Sequence, residues 1–356
     1  MPYRTPVCRT VRRMHQRLIS LSFKSGGLTC SAPGQRLLPE IIDMNRNPAD
    51  DIPRFPLCVA SIDVGSNAIR FLAAEFKNLT SFSPVFADRY PLRLGHDAFF
   101  SGRLTQNSIE GAVTGLMGFA DHIERLGISR YRAVATSAVR ESENGDTLLA
   151  RAREQTGIEI DSISSREEAR LVLLSVKSRV RLGGKMWILA DLGGGSVEVS
   201  LAADTGILWS ESYGMGAVRL LEELAGSGME PGKFRMLLSE YVKKLHIPAA
   251  VLKKKPAGFI ATGGNIETIA SLVDRRGEGT TSRVTTKELG KLIKKLTGLS
   301  FAERVRELHL KEDRADVILP ASLVYERLAV LAGAKQIIVP HAYLREGLVL
   351  DLVSPG

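Results

Sequence analysis

Two aspartates, each followed by a short glycine-rich turn, are the residues of this sequence best suited to bind a phosphate group. Asp63 and Asp191 each end an apolar strand. The turns after them consist of Gly65, Ser66 and Asn67 in the first copy and of Gly193, Gly194, Gly195 and Ser196 in the second. Glycines let backbone amides approach an anion closely, and an ionised aspartate can hold a magnesium ion. One such turn is equally typical of a tight hairpin, but two matched copies favour a single phosphate cleft built from two related halves.

The second turn continues directly into a strand with alternating residue types. Alternation places Ser196, Glu198 and Ser200 on one face and the apolar residues that separate them on the other. Glu198 is therefore expected to face the ligand together with Ser196. The alternative is that Glu198 is an exposed glutamate of a surface strand.

Glu168 follows Ser165, Arg166 and Glu167 at a predicted helix start. The spacing fits a capping box, in which Ser165 caps the helix and Glu168, at the third helical position, reaches back to it. The helix dipole explains Glu167 in the first turn. From spacing alone, a cap is favoured over a functional role for Glu168.

The basic residues best suited to contact a phosphate are arginines that follow predicted strands. Arg140 follows the segment ATSAV, and its planar guanidinium suits a bidentate contact with phosphate, although a lone arginine is usually a solvated surface residue. Arg93 and Arg219 are the next candidates. Five lysines indicate either a basic groove or, more commonly, a solvated face: Lys243, Lys244, Lys253, Lys254 and Lys255.

A third glycine turn, formed by Gly263, Gly264 and Asn265, follows a short strand and opens a helix. A helix N-terminus can hold a phosphate or a nucleotide. Taken alone, this turn is weak evidence for a binding site.

Composition and charge limit the possible classes of protein. The chain has 356 residues and 44% apolar content, which is enough for two sizeable cores, and no apolar run approaches the length of a membrane span. Seven basic residues and no acidic ones lie before residue 40, so the rest carries only about +2 of the net charge of +9. The three cysteines lack metal-ligand spacing. We expect a cytoplasmic protein with no specific nucleic-acid partner and no membrane association.

Residues 1–54 form a basic leader without sustained periodicity. A disordered tail or a misassigned start, with Met44 as the true initiator, is favoured. An Arg-rich, acid-poor transit peptide is the alternative, whereas a secretory signal would need a continuous apolar segment that this leader lacks.

The elements that position these residues alternate between strands and helices. Strands are expected at 57–64, 68–76, near 85–93, at 131–136 and at 158–163, with helices from 109, at 146–155 and at 166–179. Gly183-Gly184 marks a junction, after which the strand, turn, strand order begins again. The sequence predicts two stacked α/β domains around a cleft, at 55–180 and 181–356, with a last helix that is able to pack back on the first domain.

Seven segments resemble the Ppx/GppA phosphatase family: ASIDVGSNAIRFL, ATSAVRESENG, SREEARL, DLGGGSVEVS, YGMGAVRL, ATGGN and YLREGLVLDL. That family comprises exopolyphosphatases and guanosine pentaphosphate phosphohydrolases. The segments occur in family order, and REEARL separates the family from kinases that share its fold. The resemblance implies two ribonuclease H-like domains of the actin, sugar kinase and Hsp70 superfamily with an interdomain cleft.

The resemblance also assigns roles. It implies that Glu168 is the base that activates water, that Arg140 contacts phosphate, and that Mg²⁺ or Mn²⁺ binds near Asp191 and Glu198. The amides of the first two turns would hold the terminal phosphate. Further possible contacts are Asp63, Arg219, Gly263, Gly264 and Asn265, while Arg345 in LREG is explained equally well by a structural ion pair.

Three positions depart from the family pattern. Ala68 stands where serine is usual and Val197 where threonine is common, which removes two possible hydroxyl donors. Asp97 stands where glycine is common and adds a carboxylate near the expected substrate path. The sequence ends soon after LREG and so resembles the short members, without the extra C-terminal domain.

The resulting expectation is a homodimeric hydrolase that releases terminal phosphate from inorganic polyphosphate. Guanosine pentaphosphate (pppGpp) is the alternative substrate, because it presents the same terminal phosphoanhydride. The sequence also allows a catalytically weak sensor of polyphosphate or ppGpp. A kinase of the same fold is a further hypothesis, but the EEAR segment argues against it.

Overall fold

The computed structural model describes residues 54–225, 231–273 and 281–354. The predicted leader, including Cys8, Cys30 and Met44, lies outside the described residues except for Arg54. No helix in the described ranges is long and apolar enough to cross a membrane.

The first half of the described chain forms a five-stranded sheet. Its strands are β1 (Leu57–Val64), β2 (Ile69–Asn78), β3 (Ser81–Tyr90), β4 (Arg130–Ala135) and β5 (Ile160–Ser162). They lie in the order β3-β2-β1-β4-β5, with β1, β2 and β3 antiparallel and β4 and β5 parallel to β1. The helices of this half are α1 (Leu94–Ser101), α2 (Gln106–Arg125), α3 (Ser137–Arg140), α4 (Gly145–Thr156) and α5 (Ser165–Arg179).

The second half forms a six-stranded sheet. Its strands are β6 (Trp187–Leu192), β7 (Val197–Ala203), β8 (Gly206–Tyr213), β9 (Phe259–Thr262), β10 (Ser282–Thr285) and β11 (Gln336–Val339). The helices are α6 (Ala217–Ala225), α7 (Pro231–Val242), α8 (Ala249–Leu252), α9 (Gly264–Val273), α10 (Thr286–Thr297), α11 (Phe301–Leu308), α12 (Glu312–Ala315), α13 (Ile318–Leu331) and α14 (Leu344–Val353).

The two sheets repeat one topology. The order β8-β7-β6-β9-β11 of the second sheet matches the order β3-β2-β1-β4-β5 of the first, and β10 adds an antiparallel edge strand. In both sheets an antiparallel meander of three strands is followed by two strands parallel to its first strand. The predicted duplicated α/β fold is confirmed.

Both faces of the first sheet are covered, which explains why β1 is apolar along its whole length. Ile62 packs with Leu116 of α2 on one face, and Val59 packs with Val349 of α14 on the other. Helix α14, from the end of the chain, therefore packs against β1 and α5 in the first half.

The strands and helices expected between residues 57 and 179 are present to within a few residues, with two informative differences. Arg140, predicted in a turn, ends the short helix α3. The residue that caps α5 is Ser164, whose hydroxyl accepts a hydrogen bond from the Glu167 amide, and not Ser165. The predicted capping box is therefore wrong, because Glu168 lies one position too late to close it.

Gly347 allows α14 to lie close to α5. A Cβ added there would lie 2.1 Å from the Leu171 carbonyl oxygen, a backbone atom that cannot move aside cheaply. We expect Gly347→Ala to destabilise the protein by about 1–3 kcal/mol, as overpacking does. Gly118→Ala in α2, where a Cβ would meet open space, is the control and should be neutral or slightly stabilising. Chemical denaturation of both variants is the measurement, and unchanged stability of Gly347→Ala would contradict the packing.

Candidate active site

The two predicted phosphate turns meet across the space between the sheets. A Cβ added to Gly194 would lie 2.8 Å from the Ser66 Cβ, so only glycine permits this approach. Each turn is closed in the same way, by the amide of its first glycine: Gly65 N donates to the Ala68 carbonyl and Gly193 N to the Ser196 carbonyl. Since these two amides are used within the turns, the amides after them are the candidate donors to a ligand.

A cavity of about 550 Å³ opens beside the turns. Most of the predicted site residues line it: Asp63, Gly65, Ser66, Asn67, Glu168, Asp191, Gly193, Gly194, Ser196, Gly263, Gly264 and Asn265. The three glycine turns and the predicted base thus converge on one cavity, as a phosphate cleft requires.

Register in the two sheets gives the duplicated turns opposite electrostatic character. In the first sheet Asp63 lies opposite Arg70, and the two side chains form an ion pair at 2.9 Å. In the second sheet the equivalent positions are Asp191 and Glu198, two acids directly opposite each other. Like charges in register destabilise a sheet, so this arrangement indicates a functional pair.

Glu168 completes a cluster of three carboxylates with Asp191 and Glu198, in which one oxygen atom of each lies within 4.8 Å of the others. Glu168 and Glu198 are buried. Burial, together with the negative charges of Glu198 and Asp191, raises the pKa of Glu168 well above its ordinary value. Burial raises the pKa of Glu198 to about 7, and the charge of Asp191 contributes in the same direction.

Hydroxyl groups hold two of these carboxylates in place. Glu198 Oε1 accepts hydrogen bonds from the Ser196 hydroxyl at 2.7 Å and the Ser212 hydroxyl at 2.9 Å. Asp191 Oδ1 accepts one from the Thr262 hydroxyl at 2.6 Å. Because each donor binds one particular oxygen, the three hydroxyls fix the orientation of both carboxylates.

The three carboxylates fit a divalent cation. Glu168 Oε2 and Glu198 Oε2 are buried and accept no hydrogen bond from any described residue, which is costly unless a cation binds them. Carboxylate oxygens are the ligands that hard divalent cations prefer. Glu168, Asp191 and Glu198 are therefore the residues that could hold a metal ion.

Helix α5 presents Glu168 to this cluster from a well-anchored first turn. Glu167, on the other side of the helix, bonds Arg170 of α5 at 2.7 Å and pairs with Arg132 of β4 at 3.2 Å. Both arginines also pair with Asp351 of α14. These four side chains form a closed ring of charges that ties α5 to β4 and α14.

The three arginines predicted to contact phosphate lie outside the cavity lining. Arg140 lies behind Glu168, at 3.7 Å from its Oε2, and donates to the Ile163 carbonyl. Arg93 pairs with Asp316 and Arg219 with Glu141. Each of them already has a protein partner in the described structure. The five predicted groove lysines do not line the cavity either.

Four other arginines line the cavity: Arg70, Arg89, Arg314 and Arg345. The first three were missed from the sequence, whereas Arg345 was considered there and attributed equally well to a structural ion pair. Arg89 pairs with Asp313 and Arg345 with Glu346, whereas no described carboxylate lies within ion-pair distance of Arg314. Burial, with the charges of Arg70 and Arg89, lowers the pKa of Arg314 to about 10. Its guanidinium lies against Gly264 and donates to Asn265 Oδ1. Arg70 could have been found by aligning the two turns, because it occupies the position of Glu198.

The departures from the family pattern do not place new polar groups in the cavity. Val197 is fully buried in the apolar core of the second half, on the face opposite Glu198. Ala68 is fully buried too. Asp97, expected near the substrate path, instead accepts hydrogen bonds from the amide and hydroxyl of Thr105 at the start of α2. That expectation for Asp97 is wrong because the carboxylate is engaged in connecting α1 to α2.

Comparison with known proteins decides the family. Residues 73–355 match the sequence profile of the Ppx/GppA phosphatase family. The chain belongs to the Ppx/GppA phosphatase family.

Two proteins of similar sequence are named exopolyphosphatases. Exopolyphosphatase 1 of Mycobacterium tuberculosis is 27% identical over 297 residues, which cover 81% of this chain and 86% of the relative. Exopolyphosphatase 2 of the same organism is 28% identical over 315 residues, covering 83% and 98%.

Solved structures of the family share the fold. The crystal structure of an exopolyphosphatase from Cytophaga hutchinsonii superposes with a TM-score of 0.77 at 24% identity, covering 84% of this chain and 99% of that one. The Aquifex aeolicus family member gives a TM-score of 0.69 at 24% identity, with 83% and 97% covered. Both likenesses confirm the predicted fold of two α/β halves.

Binding of a divalent cation tests the carboxylate cluster directly. We expect calorimetric titration to show that Mn²⁺ binds the protein. Asp191→Asn and Glu198→Gln should each weaken that binding at least about tenfold. Removing a residue that only supports a metal ligand already causes a loss of this size. Asp161→Asn, an exposed acid of β5, is the matched control. Equal Mn²⁺ affinity in the unmodified protein and in all three variants would exclude a cation site at this cluster.

Proposed function

We propose that this protein is a phosphohydrolase of the exopolyphosphatase type, which releases terminal phosphate from inorganic polyphosphate. The observation that carries the proposal is the position of Glu168. Its carboxylate lies in the cavity wall together with the two phosphate turns and Asp191. A base beside a phosphate cradle is the arrangement needed for attack by water, and the relatives named exopolyphosphatase support the same reaction.

Glu168 is placed to act as a general base. Burial and the negative charges of Glu198 and Asp191 raise its pKa, so its carboxylate is a stronger base than that of an ordinary glutamate. Water held by Glu168 attacks the terminal phosphorus while its proton passes to the carboxylate. The bond from that phosphorus to the bridging oxygen breaks, and the bridging oxygen leaves with the shortened chain.

The turns hold the group that is transferred. The amides that follow Gly65 and Gly193 point the partial positive charge of the backbone at the terminal phosphate, and Ser66 adds a hydroxyl. Mg²⁺ or Mn²⁺ held by Asp191 and Glu198 would offset the negative charge that gathers on the phosphate oxygens, which leaves the Glu168 carboxylate to act as the base. Arg140 behind Glu168 stabilises the ionised form of the base.

Arginines that line the cavity favour an extended polyanion as substrate. Arg70, Arg89 and Arg314 come from β2, β3 and α12 and repel one another, a cost that an anion between them would offset. Both inorganic polyphosphate and guanosine pentaphosphate place further phosphates beyond the terminal one. The proposal names polyphosphate, and guanosine pentaphosphate is the competing substrate in the assay.

Replacing Glu168 tests the chemical step. We expect Glu168→Gln to lower kcat for phosphate release by about 100-fold or more, because the amide cannot accept the proton, while KM changes little. Phosphate release is measured with long polyphosphate, tripolyphosphate and guanosine pentaphosphate in the presence of Mg²⁺ or Mn²⁺. Glu154→Gln, an exposed glutamate of α4, is the control. Failure of the unmodified protein to release phosphate from all three compounds would refute the proposed function.

Replacing Arg314 tests the contribution of the arginines. We expect Arg314→Gln to raise KM for tripolyphosphate about tenfold, with kcat less affected, because one charge-assisted hydrogen bond to the substrate is lost. Arg306→Gln is the matched control, since Arg306 is exposed in α11 and pairs with its neighbour Glu307 outside the cavity. A KM that is the same in both variants would mean that the substrate does not reach Arg314.

A further inference from the structure

A second pocket, of about 400 Å³, lies beside Glu198 on the side away from Asp191, because Ser212 of its lining pairs with Glu198 across β7 and β8 while Asp191 lines the main cavity. The start of α5 lines it with Ser165 and Arg166, and β8 lines it with residues 207–210 and with Ser212. We refer to it as the rear pocket. It shares no lining residue with the main cavity.

The rear pocket is adjacent to the carboxylate cluster at two points. Ser212 is exposed in the pocket, and its hydroxyl donates to Glu198 Oε1 at 2.9 Å. Ser165 precedes Glu168 by three residues on α5 and so lies on the same face of that helix. One serine hydroxyl and one helical turn therefore separate the rear pocket from the cluster.

The lining of the rear pocket is suited to a small anion. It contains the Arg166 guanidinium and the hydroxyls of Ser165, Ser210 and Ser212, and it contains no acidic residue. Among the described residues, Arg166 has no ion pair or hydrogen bond, whereas Arg170, one turn further along the same helix, is held by Glu167 and Asp351. A free guanidinium with hydroxyl donors nearby is the type of group that binds phosphate.

Under the proposed function, hydrolysis at the carboxylate cluster releases an orthophosphate that must leave the protein. The terminal phosphate is released between Glu168 and the glycine turns, at the inner end of the main cavity. The rest of a polyphosphate chain then occupies the cavity between that phosphate and the arginines. A phosphate that leaves toward the front must wait until the chain has moved.

We propose that the rear pocket binds the orthophosphate released at the carboxylate cluster and lets it leave on the side opposite the polyphosphate chain. Glu198 stands between the main cavity and the rear pocket, so passage of the phosphate requires its side chain to swing aside and to lose its hydrogen bonds from the Ser212 and Ser196 hydroxyls. Arg166 receives the anion. No covalent step is involved, and the chain can stay bound while its released phosphate departs.

Direct binding of inorganic phosphate tests the rear pocket without turnover. The experiment uses Glu168→Gln protein saturated with tripolyphosphate, so that the main cavity is filled, and measures radiolabelled orthophosphate by equilibrium dialysis. We expect one orthophosphate per chain. Adding Arg166→Gln should weaken its binding at least about tenfold, whereas Arg166→Lys, which keeps the charge, should weaken it less. Arg125→Gln, an exposed arginine of α2 outside both cavities, is the matched control.

Two results would overturn the proposal: no orthophosphate bound once tripolyphosphate fills the main cavity, or equal orthophosphate affinity with and without Arg166. Neither result bears on the hydrolytic activity itself, which is read from phosphate release by the unmodified protein. Conversely, a protein that releases no phosphate but binds orthophosphate through Arg166 would retain the site and lose the proposed function.

Discussion

The juxtaposition of Asp191 and Glu198 on neighbouring strands is the constraint on which the rest of the site depends. Two acids opposite each other in an antiparallel pair repel, and burial of Glu198 and the approach of Glu168 increase that cost. The serine and threonine hydroxyls around them stabilise particular oxygens but leave others without a donor. The fold tolerates this local cost because both strands lie in the middle of a sheet with large apolar cores.

Duplication explains how two related turns of one cavity can differ in charge. The same turn and the same strand register occur in both halves, but Arg70 stands in the first half where Glu198 stands in the second. One copy thus neutralises its own aspartate and adds a cation to the cavity, while the other concentrates negative charge. Two turns of opposite charge follow from a single change of residue type at one register position.

The sequence was sufficient to predict the turns, the alternation that places Glu198 on the face opposite Val197, and the succession of strands and helices along the first half, because these depend on local patterns of two to four residues. It was not sufficient for the arginines. Arg314 reaches the third glycine turn from a helix about 50 residues further along the chain, and nothing local to Arg314 indicates that approach. The wrong cap at Ser165 arose from a shift of one residue, which rotates a helical position by about 100°.

That rotation also explains why two successive glutamates of α5 have different roles. Glu167 and Glu168 point about 100° apart, so one joins the outer ring of charges while the other enters the carboxylate cluster. Each pair in the ring is partly exposed and individually weak, but four mutually bonded side chains from α5, β4 and α14 restrict the helix in several directions. The ring therefore fixes the first turn of α5, and through it the position of the Glu168 carboxylate, which has no hydrogen-bond donor of its own at Oε2 among the described residues.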